Sequence, residues 1–294
     1  MALFAVKALL APTFVVAASL VARHYGPWMG GVIGGLPVVA GPILLIYGLS
    51  HGAAFAAGAA LGTLLGLISL TAFAVVYGRL AQRAPWLPCM LAGWLAFGVG
   101  TIVLDGVSVP TGVALVLVWS GFALGLLLLP RPLGLPPTAA PPPRWDLPLR
   151  AFCAFMLVLV LTTIAGWLGP KLSGLLAPFP VITTVLATFT HAQRGPAEAA
   201  RLLRGMLTGF GAFALFCFIL AISLRTTGVG LGFAIATAAA LLAQATLIAL
   251  VQSGRITPAG FEGAAGPRSR GQADVEALAA QGQGQTGYAE ISTN

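Results

Sequence analysis

Few side chains in this 294-residue chain could do chemistry, and their spacing narrows the field further. The acidic residues are Asp105, Asp146, Glu198, Glu262, Asp274, Glu276 and Glu290, each in a loop, at the end of an apolar run or in a polar tail. No two of them share an apolar run, which excludes paired-carboxylate chemistry and the acidic metal motif an intramembrane phosphotransferase needs. HExxH, CxxC and Walker-type loops are absent. Ser50 and His51 are adjacent, but no further residue activates them as a hydrolytic pair. Cys89, Cys153 and Cys217 lie in separate apolar runs without ligand spacing, so they read as small buried residues. The expectation is a protein that is not an enzyme and holds no metal or cofactor.

What remains is backbone chemistry. Two apolar stretches are broken near their middles by glycine and proline, GGLPVVAGP at Gly34 to Pro42 and LAPFPVITT at Leu176 to Thr184. Proline lacks an amide hydrogen and clashes with the preceding turn, so it leaves carbonyls without partners. In hydrocarbon, irregular backbone persists only against protein or a wet cavity. Paired breaks at corresponding places in two halves point to a central binding site of the kind membrane carriers use, with ordinary proline kinks that serve only packing as the alternative. The expected substrate-binding residues are Gly34, Gly35, Pro37, Val38, Ala40 and Gly41 with Pro178, Pro180, Val181, Thr183 and Thr184. Lys7 and Arg150 begin corresponding apolar runs and either snorkel to the interface or form a charged gate. His51 and His191 end the two broken stretches and are expected at the interface.

The breaks correspond because the chain repeats. Shifting it by 143 positions lays Gly26 to His51 on Gly169 to Arg194 without a gap, with Gly26 on Gly169, Pro27 on Pro170, Gly31 on Gly174, Pro37 on Pro180 and Val38 on Val181. Between Lys7 and Gly66 sixteen of sixty positions are identical at this offset, many of them residues that determine backbone shape. The match also covers Lys7 on Arg150 and Ala8 on Ala151, which places Met1 to Ala22 on an internal span and argues against a cleaved signal peptide.

Composition says what surrounds these stretches. With 58% apolar and 7% charged residues and a mean hydropathy of +0.96, the chain reads as an all-α polytopic membrane protein. The apolar runs lack the two-residue alternation of a barrel. They give about nine transmembrane spans: five in residues 1–130, then a proline-rich linker over 131–150, four in 151–254, and a disordered tail over 255–294. Each broken stretch is then one discontinuous helix per half. Arg23, Arg79, Arg83, Arg131, Arg144, Arg150, Arg194, Arg201, Arg204, Arg255, Arg268 and Arg270 fall on one side, against Lys7, Lys171 and Arg225 on the other. The positive-inside rule therefore places the N-terminus outside and the C-terminus in the cytoplasm, in a bacterial-type inner membrane. Five spans separate each element from its copy, and an odd number makes the repeat inverted.

The net charge of +8 is explained by this loop bias, so no nucleic-acid partner is expected. Glycines at Gly30/Gly34, Gly31/Gly35, Gly58/Gly62/Gly66 and Gly205/Gly209 form small-xxx-small faces, expected to pack span three on span two and span eight on span seven. The length and near five-plus-five plan are similar in architecture to the drug/metabolite transporter group, without that group's sequence motifs. The function expected is a secondary-type carrier of a small polar or anionic solute, with a non-catalytic membrane scaffold or assembly factor as the alternative. Its partners would be membrane lipids and a small-molecule substrate, with homo-oligomerisation left open.

Overall fold

Glycine and proline set where the helices of this chain start and stop. The computed structural model describes residues 2–132, 143–160 and 179–255, excepting the side chains of 2–9. The chain divides into two units, Met1–Phe261 and Glu262–Asn294, and the second lies outside the described residues. The regular structure described is entirely helical: α1 Ala2–Tyr25, α2 Pro27–Gly34, α3 Ala40–His51, α4 Ala53–Leu80, α5 Trp86–Asp105, α6 Thr111–Leu128, α7 over 146–160, α8 Val181–Arg194 and α9 Pro196–Gln252. Gly26, Gly52 and Gly195 precede α2, α4 and α9 with φ of 92°, 86° and 86° and ψ of 161°, 168° and 177°. That corner of backbone space is almost closed to residues with a Cβ. Gly228 (φ 78°, ψ 174°) takes the same conformation inside α9 and divides it into arms over 196–227 and 229–252.

Four helices are long and apolar enough to cross a membrane: Ala53–Leu80, Trp86–Asp105, Thr111–Leu128 and Pro196–Gln252. The fold is therefore helical and compatible with membrane insertion, with four such helices among the described residues against nine expected spans. Part of the difference is the first broken span, which folds as α2 and α3, helices of 8 and 12 residues that singly fall short of a bilayer. Burial separates the long helices into two kinds. About two thirds of the most apolar window is buried in α4 (61%) and α9 (67%), against 22% in α5 and in α6. Helices α5 and α6 instead expose Leu95, Ile102, Val103, Val116 and Leu127, an apolar surface of the kind lipid covers.

The core lies where α4 meets the first arm of α9, with Leu64, Leu67, Phe73 and Tyr77 against Leu202, Leu203, Met206 and Leu207. Helix α2 is held between the arms of α9. A methyl group added at Gly31 would collide with the Leu202 carbonyl, at Gly205 with the Trp28 carbonyl and at Gly209 with the Val32 carbonyl. From the second arm, the buried Gln244 donates Nε2–H to that same Val32 carbonyl at 2.8 Å, and Val251 closes a small cluster with Trp28, Met29 and Val32. This corrects the expected glycine seams. The seam runs between α2 and α9, while Gly58 and Gly62 of α4 have nothing within 4 Å of an added Cβ among the described residues. Gly30 meets Ala18 and Ala22 of α1. The spacing shows only that a close approach is sterically permitted, and the partner is chosen by chain topology.

Candidate functional site at the two helix breaks

Both breaks restart a helix in the same way. At the first, the Val38 amide donates to the Leu36 carbonyl at 2.8 Å and the Gly41 amide to the Pro37 carbonyl at 2.8 Å. At the second, Val181 donates to Phe179 at 2.7 Å and Thr184 to Pro180 at 2.8 Å. These are the same pairs displaced by 143 residues. Between them the amides of Val39 and Ala40 in the first break, and of Ile182 and Thr183 in the second, have no acceptor among the described residues. They are the orphan donors that open any helix, here without a capping side chain at Val39 or Pro180.

All four of those residues line one cavity of about 50 Å³, with Gly34, Leu36, Pro37, Phe179, Pro180 and Val181 and a wall of Leu70, Phe210 and Phe213. Thr183 supplies the one polar side chain among the described lining residues, is 3% exposed, and its hydroxyl has no partner among them. A space of this size holds a few waters. Of the residues expected at the site, Gly34, Pro37, Ala40, Pro180, Val181 and Thr183 therefore come together around one cavity. Gly35 packs on the backbone of Gly209, Gly41 faces Phe216, Val38 does not line the cavity, and Pro178 lies outside the described residues.

Thr184 faces elsewhere. Its hydroxyl accepts from Trp94 Nε1–H at 3.0 Å, beside an apolar cavity of about 760 Å³ bounded by α5, α7 and α8. Phe179 packs its ring against Trp94 and Phe97 (centroids 5.6 and 5.5 Å apart) and so stands between the two spaces.

Arg150 takes part in a network that sequence did not reveal. The carboxylate of Asp146, fully buried, accepts from Arg23 Nη2 (2.7 Å), Arg150 Nε (2.9 and 3.0 Å) and Gln193 Nε2 (2.5 Å). Arg150 also reaches Gln193 Oε1 (3.3 Å) and lies 4.9 Å over the Phe189 ring. The C-terminus of α1, the N-terminus of α7 and the C-terminus of α8 are thus tied at one point. Burial pushes the Asp146 carboxyl up, but the hydrogen bonds from Gln193, Arg23 and Arg150 outweigh it and hold it below the ordinary carboxylate value. The Asp146–Arg150 spacing of four was the only signal available in the sequence. Lys7 lies in α1 with its side chain outside the described residues.

The two histidines that end the broken stretches differ in their surroundings. His191 is buried, with Nδ1 3.4 Å from the Tyr77 hydroxyl, whereas His51 is exposed and stacked on Phe55. No group of three or more metal-ligating side chains occurs among the described residues. No protein-family model, curated protein or solved structure matches the chain.

Proposed function

We propose that this chain is a secondary-type membrane carrier of a small polar or anionic solute, which binds between the two helix breaks and crosses by alternating access. The observation that carries the proposal is the convergence of two proline-initiated helix starts on one cavity, with four amides that have no acceptor among the described residues and the Thr183 hydroxyl as its donors. Helix N-termini carry partial positive charge, which suits an anion or an uncharged acceptor group. Dry amides without acceptors are costly, so an acceptor supplied by a solute or by water is favoured there. At about 50 Å³ the cavity is too small for a metabolite, so in this proposal the site widens when a solute binds.

The nine-span inverted repeat, with N-terminus outside and C-terminus in the cytoplasm, belongs to the same proposal. Supporting it are the matched hydrogen bonds at the breaks, the matched conformations of Gly52 and Gly195, and the fall of the Gly228 break 143 residues after Pro85, the residue just before α5. The Asp146 network then acts as a cytoplasmic gate. At the 143-residue offset Asp146, Gln193 and Arg23 correspond to Leu3, Ser50 and Gly166, so this network has no ionic counterpart on the outer side. Its formation favours the state closed to the cytoplasm.

A thermal-shift screen of purified protein with small carboxylates, phosphates and neutral polar solutes tests the proposal. One of these classes is expected to raise the melting point by several degrees near 100 Kd. The shift should vanish in Thr183→Val, which keeps the volume, and in Ala40→Leu, which fills the cavity. A shift retained in both variants would place binding elsewhere and overturn the assignment.

A further inference from the structure

A third pocket, of about 580 Å³, lies where α4 and α6 both end. Arg79, Gln82 and Arg83 line it from the end of α4 and the turn after it, and Arg131 lines it from the segment after α6, beside Leu127 and Leu128. The three arginines are exposed, and no acidic side chain pairs with any of them among the described residues. Arg79 uses only Nε, which donates to the Leu128 carbonyl at 2.8 Å, leaving its other N–H groups without a described partner.

The end of α6 would normally oppose an anion, because a helix C-terminus carries partial negative charge. Here that charge is covered. Arg204 donates to the carbonyls of Leu126 (2.8 Å) and Leu129 (3.1 Å), and Arg79 to that of Leu128. With those carbonyls covered, the guanidinium groups of Arg79, Arg83 and Arg131 give the pocket mouth its positive charge. Three like charges around one space repel one another unless an anion joins them. Guanidinium groups match phosphate oxygens in geometry as well as charge.

Both helices that end here are apolar enough to cross a membrane, which puts the pocket at the depth of lipid head groups. Leu127 is 68% exposed beside it, on the side where an acyl chain would lie. We propose that this arginine pocket binds a phosphate-bearing anion, the head group of an acidic phospholipid, at the ends of α4 and α6.

Purified protein would be titrated with phosphatidylglycerol, with phosphatidylcholine of the same chain length, and with inorganic phosphate, and bound lipid counted by native mass spectrometry. Phosphatidylglycerol should be retained and phosphatidylcholine not. The double variant Arg83→Gln/Arg131→Gln should weaken retention about tenfold or more, while Arg225→Gln, which removes one exposed charge far along the chain, leaves it unchanged. If the double variant fails size-exclusion chromatography, each single variant serves, with a smaller loss expected. Competition by inorganic phosphate would support the pocket while assigning it to a soluble phosphate; no competition would support the lipid source. Equal retention of both lipids, or undiminished retention in every arginine variant that folds, would overturn the proposal.

Discussion

Gly62 on α4 and Gly205 on α9 hold the same place in the two halves of the sequence, and they meet opposite surroundings. An added Cβ at Gly205 would strike the Trp28 carbonyl, whereas at Gly62 it would meet nothing within 4 Å. Among the described residues, the same small-residue spacing is a closed seam at Gly205 and Gly209 and meets nothing at Gly58 and Gly62, while Gly66 on the same ladder is buried. What differs is the partner: α2 is seated on α9 through Gly31, Gly35, Gly205 and Gly209. The first half lends its broken helix to the second, and that exchange brings Pro37 and Pro180 to one cavity.

The comparison breaks most visibly at the seam. Gly205→Leu should cost roughly 3 kcal/mol or more, because backbone atoms cannot yield as side chains do; the readout is loss of monodisperse protein and of the cooperative melt. Gly205→Leu protein that melts like the parent would remove the seam from the account.

The Asp146 network is the next largest difference between the halves. Asp146→Asn should lower stability by about 2 kcal/mol, since hydrogen bonds to a buried charged group are lost. The pH dependence follows from the depressed carboxyl. A group whose folded pKa lies below its unfolded value contributes stability above the unfolded value and loses it as pH falls through the folded one. The melting point of the parent should therefore drop on acidification below the ordinary carboxylate range, and that of Asp146→Asn should drop less. Parallel pH profiles would show that Asp146 is not held charged by its neighbours.

Adjacent threonines give a smaller contrast. Thr184→Val leaves the Trp94 N–H without its acceptor and should cost about 1 kcal/mol. Thr183→Val removes a hydroxyl that has no partner among the described residues and should leave the chemical-denaturation midpoint in place. Equal losses would mean that Thr183 is structural. The smallest effect is expected at Gly62→Leu, within about 0.5 kcal/mol of the parent by the same measurement. A large loss there would mean that Gly62 packs against a partner beyond the described residues.

The breaks were legible in the sequence because proline acts locally. Pro37 lies between the end of α2 and the start of α3, Pro180 precedes the start of α8, and the matched offset pointed to both. The long spans α4, α5 and α6 were legible from apolar length alone. The partners of the glycines were not, since spacing along one helix says nothing about which helix lies against it. The Asp146 cluster was hidden for the same reason: only Arg150 is near in sequence, while Arg23 and Gln193 arrive from 123 and 47 residues away. Gln244 on Val32 escaped notice because a lone glutamine in an apolar run carries no periodic signal. Thr183 and Thr184 looked equivalent, and only the rotation of α8 sends one to the break cavity and the other to Trp94.

The central claim is that the cavity between the breaks becomes reachable from water during a transport cycle. Single cysteines at Ala40 and at Thr183, in a background lacking Cys89, Cys153 and Cys217, can be exposed to membrane-impermeant thiol reagents from each side in turn. The account predicts modification of both positions, with the accessible side changing when Asp146→Asn is added. Protection of both cysteines from both sides, with and without that substitution, would contradict it.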